Sequence, residues 1–369
     1  MAASASIARH TPGREISRLE HELAEYVGRS HCVVTGSGTM SLTTALEVLG
    51  LPPGSEVIVP SVCCPAVPFA VAYSGLVPVF CDVSPADYVL DIASVDAVLS
   101  DRTRAIVGVH LFGNPAPVDE LVEYARAQSL AFVEDVAQAF GGRYRGEMLG
   151  RFGEMSITSF GHAKILSVGG GGAVFTDDAD TARALRQSPR LSTSGNGGFT
   201  SLTRWLYEHL DPTQTSATFP SRAARVRLAS RLFRSMSLRE LQPHEATRVS
   251  ELLPQLDENV AVRNEHAALY RKLLTGPGVV HPSAREGGAC FRYTVRLEDA
   301  ARSQVRRELR RRGIWVSALY PALHGWFGSS RPLPVAESVA PRLLNLPVAP
   351  PTDAEQVKRI STALSELVA

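Results

Sequence analysis

The feature that most constrains this chain is a rhythm. Short apolar runs rich in β-branched residues fall at 31–35, 56–59, 77–80, 105–109, 131–133, 155–160 and 173–176, with helical spacing between them at 40–49, 66–73 and 118–128. Strand-like runs alternating with helices imply βαβ units and a mainly parallel sheet covered on both faces. A first helix is expected over Ile16, Leu19, Leu23 and Val27, with Gly28 as its stop. At roughly 100–200 residues per domain, 369 residues suggest two domains. The expected division is a large α/β domain at 1–245 and, at 246–369, a bridging helix with a small α+β domain. The helix is expected over 243–274. The small domain is expected to hold a strand at 290–297, a helix at 301–312, a strand at 314–317, an irregular stretch and a last helix at 353–368.

The segment 192–239 breaks the rhythm, first polar and then rich in arginine at Arg222, Arg225, Arg227, Arg231 and Arg234. A solvated helix face is the simpler reading of these arginines, and contact with an anion is the alternative.

Charge and composition narrow the function. A net charge of +1 gives no electrostatic reason to expect nucleic acid or an anionic membrane as partner. No apolar run reaches the ~18 residues that cross a bilayer, and the opening residues lack the apolar stretch of a signal peptide, so a cytoplasmic location is expected. The five cysteines show neither a disulfide framework nor paired metal-site spacing, so no metal is expected. Only three of the 38 basic residues are lysine. Lys272 and Lys358 sit in helical, solvated contexts. Lys164 lies at a strand-to-loop transition followed by Gly169–Gly172 and is the candidate for an amine made reactive by partial burial.

Two further segments suggest a ligand. Thr35-Gly36-Ser37-Gly38-Thr39, between a strand and a helix, could present backbone N–H groups to a phosphate, although it meets neither the dinucleotide nor the Walker pattern. Glu134 and Asp135 end an apolar strand where open α/β sheets place ligands, and their side chains point to opposite faces, so one of them serves the site. A carboxylate there could keep a heterocyclic nitrogen protonated. A phosphate loop, an acid and a lysine together match pyridoxal 5′-phosphate (PLP).

With these residues in view, the stretch 33–177 resembles the DegT/StrS family of sugar aminotransferases, PLP enzymes of fold type I, and the match continues more weakly to the C-terminus. The resemblance rests on Ser37-Gly38-Thr39, Gly54-Ser55-Glu56-Val57-Ile58-Val59-Pro60, Val109-His110-Leu111-Phe112-Gly113, Glu134-Asp135-Val136-Ala137-Gln138, Ser159-Phe160 with Lys164, Gly171-Gly172 and Asn345-Leu346-Pro347. It implies that Lys164 forms the internal aldimine, Asp135 contacts the pyridine nitrogen, and Gln138 lies near the phenolic oxygen. Gly38, Thr39 and Ser159 would hold the phosphate. It also implies a homodimer with a shared active site, a glutamate or glutamine donor, and a keto sugar nucleotide or keto cyclitol as acceptor in secondary metabolism or polysaccharide biosynthesis.

Some members carry histidine in place of the aldimine lysine and act as dehydratases. Lys164 therefore favours transamination, with dehydration or other chemistry on the same fold as the alternative. His162 is expected as a pocket neighbour, and Tyr320 and His324 as possible substrate contacts, although a surface position for His324 fits equally. Two departures stand out. Cys64 follows the Val-Ile-Val-Pro strand where many members stack an aromatic ring on PLP. The slot from which the partner subunit commonly supplies an asparagine to the phosphate falls near Leu238.

Overall fold

The computed structural model describes residues 13–188, 239–283, 286–298 and 301–368. Helix α1 (Arg14–Val27) buries Leu19, Leu23 and Val27 and ends at Gly28, whose left-handed backbone lets its N–H reach back to Ala24. It packs against β1 (His31–Thr35) and a later helix. The βαβ rhythm then follows in α2 (Gly38–Val48), β2 (Glu56–Pro60), α3 (Ala66–Tyr73), β3 (Val77–Cys81), α4 (Ile92–Asp96), β4 (Thr103–Val109), α5 (Val118–Ala127) and β5 (Ala131–Asp135). A small hairpin of β6 (Arg143–Tyr144) and β7 (Glu147–Met148) precedes β8 (Met155–Ser159), β9 (Gly172–Thr176) and α6 (Ala179–Arg186).

The seven long strands form one sheet in the order β1-β9-β8-β5-β4-β2-β3, in which β9 runs antiparallel to both neighbours and the other pairings are parallel. This is the mainly parallel, helix-covered sheet expected from the apolar rhythm. Strands buried on both faces are apolar throughout: Val57, Ile58, Val59, Ile106, Val107 and Val133 are each fully buried. Parallel strands end on one edge, and Thr35, Pro60, Val109, Asp135 and Ser159 all lie there.

The second half departs from expectation in three places. The continuous helix over 243–274 is instead α7 (Pro243–Leu252) and α8 (Leu256–Leu273), separated by a tight turn at Leu253–Gln255. Pro254 has no N–H for the helical ladder and crowds the turn before it. The small sheet contains β10 (Val279–Val280), β11 (Tyr293–Leu297) and β12 (Leu343–Leu346). The expected strand at 314–317 is thus not its third strand. Ser317 exchanges one pair of hydrogen bonds with Asn345, after which the Asn345 side chain takes the Leu319 N–H at 2.6 Å and draws the chain away. The remaining elements are α9 (Arg302–Arg311), α10 (His324–Phe327), α11 (Pro334–Val339) and α12 (Ala354–Val368), two of them inside the stretch expected to be irregular.

The expected strand from residue 290 begins only at Tyr293. The Cys290 N–H goes to Asn264 Oδ1 at 3.0 Å, and the Phe291 N–H goes to Phe112 O at 3.0 Å. The residues before β11 are therefore drawn onto the large sheet's edge. A second apolar core of Tyr270, Val295, Leu297, Leu309, Leu344, Val357 and Leu364 lies beneath the small sheet. Val249, Leu256 and Val260 of the two long helices, with Leu323 and Val339, join the main core. No helix among the described residues is long and apolar enough to cross a membrane.

Candidate active site

The site lies at the strand-end edge of the large sheet. Ser37 caps α2, its side chain accepting the Met40 N–H at 3.1 Å, so the backbone N–H groups of Gly38 and Thr39 begin the helix without intrahelical partners. Gly38 has to be glycine. A Cβ there would sit 2.6 Å from Ser159 Cβ and 2.9 Å from Ser159 Oγ, so the start of α2 and the end of β8 meet with no room for a methyl group. The half-buried Ser159 hydroxyl also accepts the Gly161 N–H at 3.3 Å.

The two acids that end β5 divide their roles as the alternation of a strand requires. Glu134 is fully buried on the face away from the lysine and accepts three N–H groups, from His110 Nε2 at 3.0 Å, Gly150 at 2.8 Å and Phe152 at 2.8 Å. His110 Nδ1 accepts the Ala116 N–H at 2.9 Å, which fixes the tautomer with hydrogen on Nε2. Asp135 faces the site. Burial raises its carboxyl above the ordinary carboxylate range, while the Ala137 N–H at 2.9 Å and the charge of Lys164 pull the other way. A further cation against this carboxylate would relieve the cost of burying it.

Lys164 follows Ala163, whose φ of 62° is a strained left-handed conformation for a residue with a side chain. The half-buried amine lies over the Phe291 ring, 5.5 Å from its centroid. Burial lowers its pKa from 10.5, opposed by the nearby Cys64 and Asp135. A larger fraction of this amine is therefore neutral near pH 7 than for a solvated lysine, which nucleophilic use requires. Lys272 and Lys358 are exposed, the latter paired with Glu355.

Gln138 is buried, and its Oε1 accepts the Phe112 N–H at 3.1 Å, which leaves its NH2 as the group available to donate. Cys64 is half-buried at the start of α3, within electrostatic reach of Lys164 and Tyr320. Tyr320 is buried and stacks on Phe112, with centroids 5.7 Å apart and planes 17° apart. His324 is buried rather than at the surface. Its Nδ1 pairs with Ser61 Oγ at 2.9 Å and its Nε2 with Glu337 at 3.0 Å, so one nitrogen ties α10 to the loop after β2, the other ties it to α11, and neither is left for a ligand. His162 is exposed, with its ring against Gly169.

Leu238 and Arg222–Arg234 lie outside the described residues. Arg239 is the first described residue beyond them. It packs on Gly36 and Gly170 and pairs with Glu245. Among the described residues no group of three or more His, Cys, Asp and Glu side chains is placed to hold a metal ion. Phe112, Phe291 and Arg292 belong to the site and were not anticipated. The only local signal for the last two was an aromatic and a basic residue opening an apolar run.

A cradle closed against side chains at Gly38, a buried acid and a half-buried lysine fit the phosphate, ring nitrogen and aldehyde of PLP. The model of the DegT/DnrJ/EryC1/StrS aminotransferase family matches residues 2–365. The chain is 36% identical over 294 residues to L-glutamine:2-deoxy-scyllo-inosose aminotransferase of Streptomyces lividus, covering 78% of this chain and 64% of that one. It is 30% identical to UDP-2-acetamido-2-deoxy-3-oxo-D-glucuronate aminotransferase of Pseudomonas aeruginosa, over 96% of this chain and 90% of that one. Among solved structures, S. venezuelae DesV in complex with a ketimine intermediate matches with a TM-score of 0.78 and 32% identity, over 97% of this chain and 90% of that one.

Proposed function

The chain belongs to the DegT/DnrJ/EryC1/StrS aminotransferase family, and from that premise we propose that it is a PLP-dependent aminotransferase carrying an amino group from glutamate or glutamine to a keto sugar nucleotide or a related keto cyclitol. The observation that carries this reading is the half-buried Lys164 amine, its pKa lowered by burial, beside the buried Asp135. The acceptor class is supported by the relatives' names, which include a keto-cyclitol and a keto-sugar-nucleotide aminotransferase.

When bound, PLP supplies an aldehyde for an amine and a protonated ring that accepts the electron pair left at the donor carbon. Lys164 would hold that aldehyde, and its Nζ, when free, is the base that would move a proton between the donor Cα and the cofactor's aldehyde carbon. Asp135 keeps the ring nitrogen protonated, which also gives its buried carboxylate a cation. The Gln138 NH2 would donate to the phenolic oxygen, and Cys64 would lie over the ring. The Gly38 and Thr39 N–H groups with the Ser159 hydroxyl hold the phosphate at the start of α2. The active unit is a homodimer whose partner chain completes the site.

The test is the absorbance of purified protein with PLP, before and after borohydride reduction, alongside Lys164→Ala. A reducible lysine adduct in the wild type that the variant lacks, converted to the amine form of the cofactor by glutamine or glutamate, is the expected result. Its absence from the wild type would end this reading.

A further inference from the structure

On the aromatic ring that Lys164 approaches stands a second cation which, among the described residues, has no ion-pair partner. Arg292 stands where the chain leaves the Phe112 backbone to enter β11. Its guanidinium carbon is 5.4 Å from the centroid of Phe291, the ring that Lys164 Nζ approaches at 5.5 Å. Tyr320 is within its electrostatic reach. Nε is buried and has no hydrogen-bond partner, and among the described residues the guanidinium makes no ion pair.

Two other desolvated arginines are provided for, whereas Nε of Arg306, on α9, is also buried without a hydrogen-bond partner. Arg29 pairs with Asp177 and donates to three carbonyls, and Arg263 donates to Asn259 and to the Phe291 carbonyl. A guanidinium taken out of water without an acceptor is costly, because nothing replaces the hydration it loses. Its planar fork matches a carboxylate through two parallel hydrogen bonds.

An α-amino acid carries its carboxylate and its amine on the same carbon. Because both cations approach one ring, a carboxylate on Arg292 leaves the amine of the same carbon in the span between Arg292 and Lys164. We propose that Arg292 binds the α-carboxylate of the amino donor and so restricts donors to α-amino acids. This assignment rests on the transaminase reading.

The test uses the PLP-loaded wild type, Arg292→Gln and Arg292→Lys, with L-glutamine and with L-isoglutamine, in which the α-carboxylate and the side-chain carboxamide of glutamine are exchanged. Conversion of the cofactor to its amine form is followed by absorbance in a single half-reaction. The expected result is a drop of about 100-fold for L-glutamine in Arg292→Gln, no change for L-isoglutamine, and partial recovery in Arg292→Lys. Calorimetric titration with glutarate, which has carboxylates and no amine, gives a readout independent of turnover. Affinity is expected to fall about tenfold in Arg292→Gln. An equal loss for both donors would mark a purely structural role and overturn the assignment, as would an unchanged L-glutamine rate or unchanged glutarate affinity. A wild type that converts with neither donor would overturn the transaminase reading itself.

Discussion

Gly38 and Ser159 meet so closely that a methyl group on the first would lie 2.6 Å from Cβ of the second. This contact brings the start of α2 to the end of β8 and forms the cradle. Gly38→Ala would force the two apart at an overpacking cost of about 1–3 kcal/mol. The variant is expected to fold, as read by thermal melting without cofactor, and to retain PLP at least about tenfold less tightly in absorbance titrations, since each 1.4 kcal/mol is tenfold.

Asp135 sets function against stability. Its folded pKa is raised by burial above the unfolded value of 3.8, so the folded state binds the proton more readily. The resulting penalty is full above the folded pKa and disappears as pH falls below the unfolded one. Cofactor-free Asp135→Asn is therefore expected to melt no lower than wild type at neutral pH, losing any advantage in acid. With PLP, its half-reaction is expected to fall by about 10²-fold or more, as when a fixed electrostatic partner is removed. A melting temperature well below wild type would contradict this.

Capture of PLP should depend on the neutral form of Lys164. Its pKa lies below 10.5 because burial penalises the ammonium, so the capture rate rises with pH and levels off earlier than for a solvated lysine. Stopped-flow absorbance across the neutral to alkaline range measures this directly. Lys164→Arg, which keeps the charge and cannot bond the aldehyde, is expected to show no such capture at any pH.

The His110–Glu134 pair bears on stability. Both side chains are fully buried, and every polar atom of the pair has a partner. His110→Ala removes one of three donors to a buried carboxylate and leaves a cavity, and is expected to cost about 2–4 kcal/mol in urea unfolding. The folded fraction should still hold PLP, because Glu134 faces away from Lys164.

Cys64 should be the thiol that reports on the site. Cys32, Cys63 and Cys81 are buried, and burial pushes Cys290 up to about 12. Alkylation of cofactor-free protein, located by peptide mass spectrometry, is expected at Cys64 first and to slow once PLP is bound. Modification at the same rate with and without cofactor would argue that Cys64 does not cover the ring.

Much of this molecule was legible in the order of its residues. The strands and helices around Val57–Val59, Ile106–Val107 and Phe132–Val133 announce themselves because a doubly covered parallel strand is apolar along its whole length, a local property. The scarcity of lysine, with the glycines after Lys164, singled out the amine, and of the two acids ending β5 the family resemblance chose Asp135. Sequence did not fix whether His324 was a surface residue or a ligand contact, because its partners, Ser61 and Glu337, lie on other elements. It also placed a strand at 314–317, where the fold instead uses Leu343–Leu346, since several apolar runs could form that pairing and the Asn345 side chain decides among them.

Arg292 shows where the division falls. Its type and number are in the sequence, but its place on the ring that Lys164 approaches depends on the Phe291 N–H reaching the Phe112 carbonyl in the other half of the chain. Local spacing determined which elements form and which amine was exceptional. Only the tertiary structure, through hydrogen bonds between distant residues and the desolvation they impose, decided which charges were left to face a ligand.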